Sequence, residues 1–140
     1  MPTDLENAIK ILQESGSTCV LCREETVLRS TARGVAPLLQ WLQSGEDTCG
    51  FSAADKVVGK GAALLYSLLG VRRVYGHVMS LAAVKALRKN GIEAHWGTLT
   101  EAIRNRDNTG LCPIDTAVSQ IDDPEEALPV ILSTLENLKK

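Results

Sequence analysis

Asp55-Lys56 and Gly59-Lys60-Gly61 put a carboxylate, two ammonium groups and two positions without side chains into one short stretch. That set suits an anion, because the lysines supply charge and the glycines let a phosphate or a neighbouring backbone come close. The stretch reads as the start of a helix over residues 52–69, with Ser52 and Asp55 at capping-box spacing and Lys56 and Lys60 on one face. Two glycines there cost about 1 kcal/mol each relative to alanine, so packing within the helix does not account for them. Asp55 is the candidate reactive carboxylate, and Asp55, Lys56, Gly59, Lys60 and Gly61 are candidate binding residues. The stretch fails both common nucleotide fingerprints. A phosphate loop needs glycine where Ala54 stands and serine or threonine where Gly61 stands, and a dinucleotide motif from Gly59 needs glycine at Leu64.

Four further groups of residues bear on chemistry. Arg104-Asn105-Arg106 sits beside a polar loop, where arginines can grip a carboxylate or phosphate through paired N–H groups. Asn105 and Arg106 are therefore candidates to close a pocket. Cys112 precedes a helix start, a place that lowers a thiol pKa if the thiol is exposed, although no partnered base accompanies it. Cys19 and Cys22 have CxxC spacing but lie in a run that reads as a strand, which sends the two sulfurs to opposite faces. His77 and His95 each read as half-buried strand residues with no third ligand, so no metal and no cofactor is expected.

The elements that must carry these residues follow from periodicity and punctuation. An amphipathic helix is expected over residues 3–14, ended by Gly16, then a hairpin of strands 18–21 and 26–30. A short helix over 34–42 carries Pro37 in its first turn. After the 52–69 helix come strand 72–79, helix 80–89 and strand 92–96, an alternation that signals parallel pairing through crossovers. A short helix at 98–104, a loop at 105–111, a helix at 113–120 and a last helix opening at Asp123-Pro124 complete the reading.

Bulk composition narrows the partners. The 140 residues suit one domain with a core of its own, and the formal net charge of -2 disfavours a dedicated nucleic-acid binder. The sequence offers no apolar run of about 18 residues and no leader pattern, so a cytoplasmic location with no membrane partner is expected.

The segment from Ala54 to Ala63 resembles the signature of domain-of-unknown-function family 1893, DUF1893. Gly34-Val35-Ala36-Pro37-Leu38-Leu39, Ile103-Arg104-Asn105-Arg106 and Leu111-Cys112-Pro113 extend the resemblance over most of the chain. It implies an α/β, three-layer, cytidine-deaminase-like fold: a mixed sheet with a leading antiparallel hairpin and helices on both faces. In deaminases the two helix starts carry H-x-E and P-C-x-x-C, which bind zinc and supply the general acid/base. Here Asp55-Lys56 and Met79-Ser80-Leu81-Ala82-Ala83 stand in those places, so hydrolytic deamination is not expected. The resemblance adds Ser80 to the candidate binding residues and implies a homodimer. The expected function is binding of a nucleotide or related phosphorylated ligand, such as an ADP-ribose-like molecule, at Asp55–Lys60. The alternative is a non-catalytic regulatory or protein-interaction module that self-associates.

Overall fold

The computed structural model describes residues 3–104 and 110–139. Helix α1 (Asp4–Ser15) is followed by strands β1 (Cys19–Arg23) and β2 (Thr26–Ser30), helix α2 (Ala36–Ser44), strand β3 (Ser52–Val58), helix α3 (Lys60–Leu69) and strand β4 (Arg73–Ser80). Helix α4 (Leu81–Lys89), strand β5 (Glu93–Thr100), α5 (Pro113–Ala117) and α6 (Pro124–Leu138) complete the chain. The five strands form one sheet in the order β2-β1-β3-β4-β5. The hairpin pairs antiparallel within itself and with β3, whereas β3, β4 and β5 are mutually parallel. The α/β mixed sheet with a leading hairpin is therefore the architecture of this chain.

Local signals explain the element boundaries. Thr3 caps α1 by accepting the Glu6 N–H while the Glu6 side chain takes the Thr3 N–H. Gly16, Gly45 and Gly70 end α1, α2 and α3 in the left-handed region that favours glycine. Successive crossovers β3-α3-β4 and β4-α4-β5 step the same way across the sheet. With the usual right-handed connection, both helices fall on the same face. There α3 packs against α4, α2 and α6, while α1 covers the opposite face over β1 and β3.

The expected helix over 52–69 is not one element. Residues 52–58 are a strand, Gly59 is the cap, and the helix begins at Lys60. The reason lies in burial: β3 is the central strand, and its first four residues, Ser52–Asp55, are buried on both faces, so no alternation marks them as a strand. The expected helix at 98–104 is also absent, because β5 continues beside β4 until Thr100 pairs with Ser80. The two CxxC sulfurs do point to opposite faces. Cys19 joins the core under α3, and Cys22 joins the smaller cluster under α1 with Ala8, Leu12, Val20 and Ala54. His77 and His95 are exposed rather than half-buried, since α1 does not extend over the outer half of the sheet.

One irregularity positions a buried carboxylate. Asp55 hydrogen-bonds Tyr66 of α3, and Val58 also packs in the core on that side, although the two are three residues apart. Strict alternation would send them to opposite faces. Lys56 and Val57 between them are both exposed, so the strand slips by one residue at this level. Across β4 the same slip places Val74 and Met79, five residues apart, in one core.

Candidate functional site

Each of the three parallel strands ends at the same edge of the sheet, and the residues just beyond those ends gather around one cavity. Lys60 follows β3, Ser80 closes β4 and Glu101 follows β5. The cavity has a volume of about 310 Å³ and is walled by Ala82 of α4, Ala102, Ile103 and Leu111, with Asp115 and Thr116 of α5 on its far side. A cleft beyond the carboxyl ends of parallel strands is where open α/β sheets bind ligands, and this volume falls at the small end of ligand-sized cavities.

The floor is built around the start of α3. No side chain of that helix caps it; instead the carboxylate of Asp115, more than fifty residues away in sequence, accepts from its first turn. The Gly61 N–H gives a 2.9 Å hydrogen bond to Asp115 Oδ1, and the neighbouring Lys60 N–H also favours the ionised carboxyl. This geometry accounts for both glycines. A Cβ on Gly59 would sit 1.9 Å from Asp115 Oδ2, and one on Gly61 would sit 2.5 Å from Ile114 Cγ2. The close approach expected from sequence therefore comes from α5, a neighbouring element. Burial holds the Asp115 carboxyl above its ordinary pKa, against the two backbone N–H groups and the Lys60 charge that favour ionisation.

Lys60 is almost wholly buried, and its ammonium donates to Ser119 O at 3.0 Å and Asp122 Oδ1 at 3.2 Å. Asp122 is exposed and also meets Lys89 at 3.4 Å, and its hydrogen bond from Lys60 lowers its pKa. Ser80 caps α4 by accepting the Ala83 N–H at 3.1 Å. Lys60 and Ser80 thus both line the cavity, as does Asp115, which the sequence reading missed. The signal for Asp115 was the glycine pair itself, which announced an approach without saying from where.

The other candidates lie elsewhere. Asp55 is enclosed beneath α3, where it accepts the Tyr66 hydroxyl at 2.7 Å and lies near the backbone N–H groups of Val57 and Lys56, which favour its ionised form. Since Tyr66 donates to Asp55, the Cys19 thiol 3.1 Å away donates to the Tyr66 oxygen. Burial chiefly raises the Asp55 carboxyl from 3.8 to about 7, and pushes the Tyr66 hydroxyl and Cys19 thiol well above their ordinary values. Nothing outside the protein reaches this trio, so Asp55 is not placed to take a sugar hydroxyl or attack a substrate. Lys56 projects from β3 into a separate cleft of about 440 Å³, shared with Leu12, Tyr75 and His77 near α1. It shares no face with Lys60, because residues 52–58 are extended. Arg104 pairs with Leu111 in an isolated bridge, while Asn105 and Arg106 fall outside the described residues. Cys112 is partly buried and its thiol is raised rather than lowered, chiefly by burial. Among the described residues, no three His, Cys, Asp or Glu side chains gather closely enough to hold a metal ion, and no helix is long and apolar enough to cross a membrane.

Comparison with known proteins agrees with this fold. The family model described as TM1506, domain of unknown function (DUF1893), matches residues 7–135. The crystal structure of a DUF1893 family protein, TM1506, from Thermotoga maritima superposes with a TM-score of 0.84 at 24% identity, over 95% of this chain and 91% of that one. A diaminohydroxyphosphoribosylaminopyrimidine deaminase/5-amino-6-(5-phosphoribosylamino)uracil reductase from the same organism matches weakly. Its TM-score is 0.42 at 16% identity, over 81% of this chain and 39% of that one. No curated protein matches the chain.

Proposed function

The chain belongs to the DUF1893 family, and from that premise we propose that it binds a small nucleoside- or nucleotide-like molecule in the cavity at the carboxyl ends of β3, β4 and β5. One observation carries this reading. The loops after all three parallel strands converge on a single ligand-sized cavity whose apolar walls surround a few fixed polar groups, the usual make-up of a small-molecule site. Ala82, Ala102, Ile103 and Leu111 offer a slot for a flat ring, and Lys60, Ser80 and Asp115 offer polar contacts for its substituents. The site differs from the one expected along Asp55–Lys60. Of those residues Lys60 lines it, Asp55 is enclosed in the core and Lys56 serves another cleft. A phosphate, where the ligand carries one, has no seat on the first amides of α3, which Asp115 already occupies.

The test is a thermal-shift and calorimetric screen of nucleosides and nucleotides against the whole chain. A ligand present at about a hundredfold its Kd stabilises by about 2.7 kcal/mol. Ala82→Phe, which fills the cavity from an exposed position, should abolish the response, and Lys56→Ala in the separate cleft should leave it intact. A response that survives Ala82→Phe would place the ligand elsewhere.

A further inference from the structure

Among the described residues the hydrogen-bonding capacity of the cavity is lopsided, and that imbalance selects a ligand. Among the described lining residues Lys60 is the cation, and its ammonium is already shared between Ser119 O at 3.0 Å and Asp122 Oδ1 at 3.2 Å. The Thr116 hydroxyl donates back to Cys112 O at 2.9 Å. Ser80 Oγ accepts the Ala83 N–H and keeps its own proton to offer. Two carboxylates, Glu101 and Asp115, line the same space. An ionised carboxylate has about four lone-pair positions, and the Gly61 N–H takes one of those on Asp115.

Asp115 cannot move aside easily to make room for an anion. Gly59 and Gly61 leave room for α5 against the start of α3, with Asp115 and Ile114 filling the space a Cβ would need. The carboxylate therefore already occupies the anion position at that helix start, and a second negative group beside it meets repulsion in a poorly solvated place. Burial raises the Asp115 pKa despite its amide partners, which indicates that its charge is incompletely compensated within the protein. A neutral donor from a ligand would supply what is missing.

Resting on the small-molecule reading above, we infer that the cavity takes an uncharged amino-bearing heterocycle whose N–H donates to Asp115, and that the cavity floor rejects phosphate. The Ser80 hydroxyl then serves a ring nitrogen or carbonyl on the same heterocycle. Asp115 is the residue that sets the specificity.

Isothermal titration of the whole chain at about pH 8, where an ordinary carboxyl is ionised, tests this with eight probes. These are adenosine, cytidine, their analogues without the exocyclic amino group (purine riboside and pyrimidin-2-one riboside) and the four 5′-monophosphates. The amino-bearing pair should bind about tenfold or more tightly than the pair without a base N–H, as a hydrogen bond to a charged acceptor implies. The monophosphates should gain no more than about threefold over their nucleosides, since no new charge-assisted contact forms on the floor. Asp115→Asn should erase or reverse the preference. If the amino-free compounds bind equally well, if phosphate dominates affinity, or if Asp115→Asn leaves the preference unchanged, the inference fails while the small-molecule reading stands. If none of the eight binds, both fail. Should Asp115→Asn not fold, the preference measured on the natural chain decides alone.

Discussion

At the scale of single residues, the enclosed Asp55 has a consequence for stability. Its carboxyl is raised from 3.8 to about 7, first by burial, against the Tyr66 hydrogen bond and the nearby N–H groups of Val57 and Lys56. A raised acid binds its proton more tightly in the folded state than in the unfolded one, so stability falls as pH rises. The contribution is fully present below about pH 4, is lost between about pH 4 and 7, and is flat above that range. Tyr66 and Cys19, the groups facing Asp55 from α3 and β1, are raised well above their ordinary values and do not titrate in this range. Asp115 adds a change of the same sign, whereas Asp122 and Glu6, both lowered, add the opposite one. The decisive measurement is therefore a difference. Urea unfolding of the natural chain and of Asp55→Asn, run from about pH 4 to 8, should show the variant gaining relative stability as pH rises. A constant difference would mean that Asp55 does not titrate in that interval.

Residue types alone disclosed part of this. Gly59 and Gly61 stand out as positions needing close approach, with Lys60 between them as a candidate for an anion, while Ser80 comes from the family resemblance. Asp55 reads as a reactive carboxylate facing a ligand rather than as a buried group. A carboxylate is rarely buried without a partner, and its partner Tyr66 lies in the following helix at no spacing that advertises the contact.

At the scale of elements, the contact between α5 and the start of α3 is the most constrained joint in the site. Gly59→Ala places a Cβ against the Asp115 carboxylate, which the Gly61 N–H pins, so the clash cannot be relieved by a simple rotation. Overpacking of this kind costs about 1–3 kcal/mol. Because the two residues meet directly, their effects should not add. Gly59→Ala combined with Asp115→Ala should recover part of the loss in a denaturant titration, and strict additivity would show that they act separately. At the far end of the chain fold, Thr3→Ala removes one half of the α1 capping box and should cost about 1 kcal/mol by the same measurement.

Element reading from sequence succeeded where local chemistry dictates the outcome: the amphipathic α1 and its Gly16 stop, the hairpin, α2 around Pro37, and α4 between Ser80 and Asn90. It failed at β3. Ala53-Ala54-Asp55-Lys56 has good helix propensity, and a short apolar run has no period that separates a doubly covered strand from a helix. It failed again at 98–104, where pairing with β4 extends β5 through residues of no strong preference.

At the scale of the whole molecule, the sheet order sets a gradient of local stability. β3 is paired on both sides and buried on both faces over Ser52–Asp55, whereas β2 and β5 are edges. Amide exchange should thus be slowest along β3 and in α3 above it, and fastest along β2 and the outer half of β5. Exchange in β5 as slow as in β3 would indicate that a further strand or another copy covers that edge. The same sheet order brings three strand ends and three distant loops to one cavity, so ligand binding should slow exchange at Lys60–Gly61, at the start of α4 and in α5 together.

By itself the sequence determined the α/β class, the hairpin, the parallel crossovers and the need for close approach at Gly59 and Gly61, because caps, turns and periodicity act over a few neighbouring residues. Only the tertiary structure decided what makes that approach, where Asp55 goes and which lysine faces the cavity. Those outcomes depend on contacts between residues far apart in the chain: Asp115 on Gly61, Tyr66 on Asp55, and Ser119 and Asp122 on Lys60. Local spacing carries no record of such contacts; chain topology creates them.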